Sequence, residues 1–374
     1  MSFGSLKYSL LINFKNIPGP TVPKKIVVIE ADDYGGIRMP TAEVYEQLKA
    51  EGVNIVPSRY NLLDTLETAD DLEALFDILH SVKGADGKPA VVSPFVNVAN
   101  PDFEKIKTVS FAQYHYEPFT TTLQRYGRNG IMDTWRQGME TGIFMPELHG
   151  REHISVQAWL QQLQKGNKQV LSAFEKGFVA VSGVQGVAGY ADEFRPEFYF
   201  TEESEKPFLH KSITEAARLF EQLFSYKASA FVPSNSVFHP DFEDTVFAAG
   251  IPFLGIAHKN PTPVVGGGLE YTSYTFRQKI KPGKLNYYIR NCAFEPNDKA
   301  AYSLHTTLMQ VAAAFRWHKP AIISTHRVNF AGALDIKNRD IGLGELKKLL
   351  SEIVKRWPDV HFMSTRDMLK ELKN

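Results

Sequence analysis

Ile26-Val27-Val28-Ile29-Glu30-Ala31-Asp32-Asp33-Tyr34-Gly35-Gly36 is a β-branched run that ends in three carboxylates and two glycines. Ile26 to Ile29 do not alternate with polar residues, which is the pattern of a strand covered on both faces in a parallel sheet. An unpaired charge is costly to bury. The carboxylates are therefore expected at the strand's C-terminal mouth, where parallel α/β folds build their sites. Successive strand side chains point to opposite faces, so Asp32 and Asp33 are expected to divide the work. One would face a metal or substrate and the other would be braced. The competing reading makes one of them a helix cap and the other an Asx-turn.

Working outward, 374 residues fit either two domains or one α/β barrel with insertions. Forty-two basic residues balance forty-two acidic ones, so no global field draws nucleic acid or an anionic membrane. The single cysteine, Cys292, excludes an internal disulfide and any cysteine-rich metal site. That usage suits a reducing compartment. The short apolar patch Tyr8 to Phe14 lacks the h-region and cleavage site of a signal peptide, and no run approaches the length of a membrane helix. These features predict a soluble, cytoplasmic protein.

Residues 1–23 read as a lead-in closed by Pro18, Gly19, Pro20 and Pro23, and residues 24–372 as one domain. Thr41 is placed to cap a helix, Val53 to Val56 to form a short strand, and Asp70 to Val82 to form an amphipathic helix. Between about 98 and 142 the periodicity dissolves among Phe103, Phe111, Tyr114, Phe119 and Trp135. That predicts an insertion with its own small aromatic core. Further on, helical patterns alternate with short apolar strands, among them Phe231-Val232 before Pro233 and Ile322 to Thr325 before His326. Polar residues at several strand ends favour a parallel sheet closed into a barrel.

His149 and His153 stand four residues apart, a spacing that puts both imidazoles on one face of a helical turn. Eleven histidines give about 0.3 such pairs by chance, so the spacing alone is weak. Together with Asp33 it makes a His₂-carboxylate set of the kind that holds a catalytic metal with positions left open. Such a metal acidifies water and polarises a carbonyl. Asp32 is placed to take a proton, and His326 to protonate a leaving group. Alternatively, His326 is a structural histidine satisfied by a backbone carbonyl. Glu147 and Glu152 read as solvated charges, and Cys292 as a buried small hydrophobe.

Asp-Asp after the first strand, His-x-x-x-His, the Phe231-Val232-Pro233 strand end and a late strand ending in His together resemble the polysaccharide deacetylase (NodB homology) superfamily. The resemblance covers roughly residues 24–372 in order. It implies a distorted (β/α) barrel of about seven parallel strands that removes acetyl groups from N-acetylated sugars with a divalent metal, most simply zinc. It casts Asp32 as base, Asp33, His149 and His153 as metal ligands, and His326 as acid. Four departures stand out. Glu30 and Ala31 replace a Thr and an aromatic, and Tyr34 intrudes before the glycine. The interval from Asp33 to His149 is long. The family's Arg-x-Pro arginine, which braces the base, is missing. Arg151 or Arg327 would have to supply it, and a backbone N–H near Ser234 or Asn235 would serve the oxyanion.

Three functions are compatible with these residues. The first is a metal-dependent hydrolase that deacylates a carbohydrate. The second is a glycan-binding barrel that has lost catalysis, motivated by the missing arginine. The third is a nucleotide-sugar transferase holding a metal-diphosphate on Asp32 and Asp33. The sequence leaves the oligomeric state open.

Overall fold

The computed structural model describes residues 3–187, 189–273, 283–298 and 303–372. Its centre is strand β1 (Lys25–Tyr34), where Ile26, Val27, Val28, Ile29 and Ala31 are all at most 1% exposed. The run does not alternate because both of its faces are covered. Eight further strands join it: β2 (Val92–Asn97), β3 (Glu147–Gly150), β4 (Ala230–Phe231), β5 (Phe253–Ile256), β6 (Asn286–Ile289), β7 (Cys292–Ala293), β8 (Ala321–His326) and β9 (Val360–Phe362). Their order is β6-β5-β4-β3-β2-β1-β8-β7, with β9 paired to the first residues of β1. Every pairing in this sheet is parallel.

The two edges of the sheet are consecutive in the chain. Asn286 to Ile289 pair with β5, and after Arg290-Asn291 the same segment pairs through Cys292 and Ala293 with β8. The sheet therefore curls round on itself. Counting β6 and β7 as one staggered strand gives a ring of seven with β9 outside it, a distorted (β/α) barrel. Helices cover the outer face. Helix α2 (Ala69–Ser81) starts at a capping box of Thr68 and Asp71 and buries Leu72, Leu75, Phe76 and Leu79.

Three local expectations change. Residues 53–56 form no strand, because they find no ladder partner; Val53 instead packs into a second core beside Leu48 and Phe178. The 98–142 region is regular after all, with a two-stranded ladder (Ala99–Pro101 with Tyr116–Pro118) and three short helices. Its aromatics divide between two cores: Phe103, Phe111 and Tyr114 pack against the second, Phe119 and Trp135 belong to the barrel's main core, and Tyr34 meets Trp135 and Phe144 edge-on at 6.0 and 5.4 Å. The residue that intrudes in the Asp-Asp motif thus faces the helical layer, and elements too short for a full amphipathic period hid that from the sequence. Residues 3–16, read as lead-in, form helix α1 (Phe3–Asn16), which docks on the helix Leu304–Arg316. Asn13 accepts there from Arg316 and Trp317, at 2.7 and 3.2 Å. Among the described residues no helix is long and apolar enough to cross a membrane.

Candidate metal and catalytic site

The C-terminal ends of the strands open on a cavity of about 250 Å³ that Asp32, Asp33, His149, His153, Asn235 and His326 help to line. Strict alternation would turn Asp32 and Asp33 apart. Instead, the β1–β2 register shifts between Ala31 and Tyr34, and Asp33 takes φ +76°. This bulge brings both carboxylates into one cavity. Asn100 secures the turn by donating to Gly35 O at 2.8 Å and accepting from Ile37 N at 2.8 Å. A Cβ on Gly35 would crowd Asn97 O and the Phe119 ring, so only glycine fits this left-handed position.

Asp33 Oδ1 lies 3.4 Å from His149 Nε2 and 3.6 Å from His153 Nε2. These three residues offer ligand atoms that all fall within 4.8 Å of one another. The histidines do not share a helical face as their spacing predicts. His149 ends strand β3, Gly150 redirects the chain at φ +145°, and His153 follows in an irregular bend. The Nδ1–H of His149 donates to Val232 O at 2.7 Å, which fixes the tautomer and leaves Nε2 with its lone pair toward Asp33. Burial lowers the His153 pKa to about 4, keeping the imidazole neutral. Burial would raise the Asp33 pKa, but the surrounding imidazoles of His149, His153 and His326 hold it well below the usual carboxylate range. Asp33 Oδ1 is buried without a hydrogen-bond partner. An ionised carboxylate with an orphaned oxygen between two imidazole nitrogens fits a divalent cation.

Asp32 is paired with a residue that the sequence did not single out. Arg290, in the bend between β6 and β7, donates Nη1 to Oδ2 at 2.8 Å and Nη2 to Oδ1 at 3.0 Å. Its Nε lies 2.9 Å from Glu30 Oε2. Glu30 is not at the mouth but wholly buried beneath Asp32, held by Thr365 and Tyr288. Burial pushes its pKa up to about 7, against the opposing pull of Arg290. The arginine proposed for Asp32 from sequence is therefore neither Arg151 nor Arg327. Arg151 is taken up by Glu152, at 2.7 Å to each oxygen, and by Glu215 at 2.5 Å. Arg327 binds Asp64, Glu67 and Gly36 O. Burial of Arg290 was invisible because Asn286, Arg290 and Asn291 break the apolar pattern of their strand. The usable signal was an arginine at the end of the short Tyr287-Tyr288-Ile289 run.

His326 lies beside Asp32 in the β1–β8 register, with Nε2 3.9 Å from Asp32 Oδ2. Its Nδ1–H donates to Glu295 Oε1 at 2.5 Å. Glu295 also accepts from Asn329 and pairs with Arg59. Burial alone would lower the His326 pKa, but the Glu295 charge and hydrogen bond raise it to about 9, so the ring is an imidazolium at neutral pH. The alternative of a backbone-satisfied histidine does not apply. Glu295, like Arg290, was missed from sequence.

The turn after β4 carries Asn235 and Ser236 at φ +53° and +56°. Asn235 lines the cavity, whereas the Ser234 hydroxyl is occupied as acceptor for Glu197 N at 2.8 Å. Glu147 and Glu152, read as solvated, are each 1% exposed. Glu147 accepts from the N–H groups of Ser229 and Ala230, which ties β3 to β4.

No family model matches the sequence, and no curated protein matches it. Among solved structures, the chain is similar to a probable polysaccharide deacetylase from Pseudomonas aeruginosa PAO1, at 10% identity and a TM-score of 0.44, over 92% of this chain and 90% of that one. A polysaccharide deacetylase from Bacillus cereus is similar at 10% identity and a TM-score of 0.28, over 71% and 64%. A 4-alpha-glucanotransferase from Thermococcus litoralis is similar at 9% identity and a TM-score of 0.46 over 93% of this chain, which spans 40% of that protein's length. At such values the likeness assigns no activity, and the chemistry must be read from the side chains.

Proposed function

We propose that this chain is a metal-dependent hydrolase that removes an acyl group, most simply acetyl, from an amino sugar. The carrying observation is the convergence of Asp33, His149 and His153 beside two preorganised proton-transfer groups, Asp32 with Arg290 and His326 with Glu295. The deacetylases among the similar structures agree with this reading.

Asp33, His149 and His153 would hold the cation, most simply zinc, which when bound supplies Lewis acidity toward the acyl oxygen and toward water. Asp32, fixed by Arg290, takes a proton from the attacking water as its oxygen bonds to the acyl carbon. Asn235, which lines the cavity, would receive the oxyanion through its N–H, while the Ser234 hydroxyl is already taken by Glu197 N. His326 gives its Nε2 proton to the nitrogen as the C–N bond breaks, so acetate and the sugar amine leave and the Asp32 proton is released. Arg327 supports the Asp32 loop through Gly36 O, and Arg151 acts only at a distance.

Arg290 removes the motive for a catalytically dead glycan-binding barrel, since the base is braced after all. The nucleotide-sugar transferase reading gains no support, because Asp32 is committed to Arg290 and cannot share a diphosphate-bound metal with Asp33 without breaking that pair.

Metal content and acetate release, measured on the native chain, Asp33→Ala and the His149→Ala/His153→Ala double variant, test this proposal. About one equivalent of metal with acetate release in the native protein, both lost in the variants while the circular dichroism spectrum is kept, is the expected result. Undiminished acetate release from Asp33→Ala, or no metal uptake by the native protein, overturns it.

A further inference from the structure

Two more guanidinium groups line the cavity, and they are not used up by the protein. Arg38 donates Nε to Asn61 Oδ1 at 3.0 Å, and its Nη2 stays 3.7 Å from Glu193 Oε1. Arg195 donates Nη2 to Glu193 Oε1 at 3.1 Å. A guanidinium carries five N–H donors, so most of the donors on this pair make no hydrogen bond among the described residues. Arg38 Nη2 and Arg195 Nε are shut off from solvent without an acceptor. Both side chains are largely buried, at 14% and 17% exposure, and both face the cavity.

The pairing is uneven around the cavity. Arg290 is matched by Asp32 and Glu30, Arg327 by Asp64 and Glu67, and His326 and Arg59 share Glu295. Arg38 and Arg195 have one carboxylate between them, Glu193, which also accepts from Asn61. Two partly desolvated guanidiniums with one paired carboxylate leave a surplus of planar donors, although Asp64 and Asp33 also act on Arg38 through their charge. That is the recognition chemistry of a carboxylate or phosphate.

Position says which part of the substrate carries the anion. Arg195 stacks over the Tyr60 ring at 5.5 Å, and Tyr60 Oη lies 3.3 Å from His326 Nδ1. His326 is the group that hands a proton to the departing amine, and the amine leaves with the sugar. On that deacylase reading, the arginine pair lies on the sugar side of the scissile bond. We propose that Arg38 and Arg195 form a subsite for an oxyanion on the sugar, so that the substrate is an acidic N-acylated sugar bearing a carboxylate or a phosphate ester.

Calorimetric binding of glucose, glucuronic acid and glucose 6-phosphate tests this, because none of these probes has an acyl group to turn over. The native chain is measured both zinc-loaded and metal-free, which separates the arginine pair from the cation. The charged sugars are expected to bind at least about tenfold tighter than glucose in both forms. Whichever charged sugar binds tighter identifies the oxyanion. Arg38→Met and Arg195→Met should cut the preference to about twofold, and Glu193→Gln, which frees both guanidiniums, should strengthen it. Equal binding of all three probes, no binding of any, or a preference unchanged in every variant overturns the proposal. If the arginine variants do not fold, Glu193→Gln decides: unchanged or weaker binding of the charged sugars counts against the subsite. Acetate release is assayed separately. A preference for charged sugars without deacylation sinks the hydrolase reading alone, and deacylation without the preference sinks the anion subsite alone.

Discussion

The guanidinium of Arg290 meets both carboxylate oxygens of Asp32, at 2.8 and 3.0 Å, across 258 residues of chain. The arginine that braces the base thus comes from the strand that closes the barrel, not from the segment ending in Pro233. That segment instead orients His149, through Val232 O. Arg290→Met should lower kcat/KM by roughly a hundredfold, while metal content stays at the native level because the Asp33, His149 and His153 set is untouched. Arg290→Lys should recover only part of the loss, since an ammonium cannot grip both oxygens.

The contact between His326 and Glu295 predicts a pH dependence. The His326 pKa sits at about 9, above the ordinary value of 6.5, because Glu295 outweighs burial. Activity that needs the imidazolium should therefore hold through neutral pH and fall as pH rises past about 9. In Glu295→Gln that alkaline limb should move down, since burial is then opposed only by the charges of Asp33 and Asp32. Linkage has the same sign. The stability contributed by charged His326 is complete below pH 6.5 and is lost as pH rises through 9. Superimposable pH–rate profiles for native and Glu295→Gln proteins would count against this assignment.

Metal loading should be visible in stability without any assay of turnover. At zinc a hundredfold above Kd, thermal unfolding should report about 2.7 kcal/mol of added stability in the native chain. The His149→Ala/His153→Ala variant should gain almost nothing, and a chelator should reverse the native gain. A matched shift in both proteins would locate the ion elsewhere.

Gly150 sits between the two histidines at φ +145°, and a Cβ there would collide with the Glu197 carboxylate. Gly150→Ala should therefore cost about 2–4 kcal/mol in chemical denaturation, from backbone strain and overpacking together. It should also weaken zinc binding by displacing His149 and His153. A variant with native stability would show that the chain can turn at this point without glycine.

Much of the site was legible in the linear chain. The unbroken apolar run Ile26 to Ile29 followed by Asp32 and Asp33 marked a buried strand and its functional end, because the strand period and the cost of burying charge act locally. The same held for His326 at the end of β8. The reading failed where partners were long-range. Glu147 and Glu152 looked like surface charges because nothing near them in sequence reveals the Ser229 and Ala230 N–H groups or the Arg151 guanidinium that satisfy them. The helical reading of His149 and His153 expected them close together, and they are, but through a strand, a glycine and a bend instead of a helical turn.

By itself, then, the sequence determined the parallel α/β class, the strand that carries the carboxylates, and the three residues Asp33, His149 and His153 that the fold brings together. Each of these follows from periodicity or from charge placed at an element's end. Tertiary structure alone decided that a bulge turns Asp32 and Asp33 into one cavity, that Arg290 pairs with Asp32 and Glu295 with His326, and that Arg38 and Arg195 keep unmet donors on its wall. Those facts depend on register and ring closure, which join residues hundreds of positions apart, and no local pattern encodes which distant charge a buried group will meet.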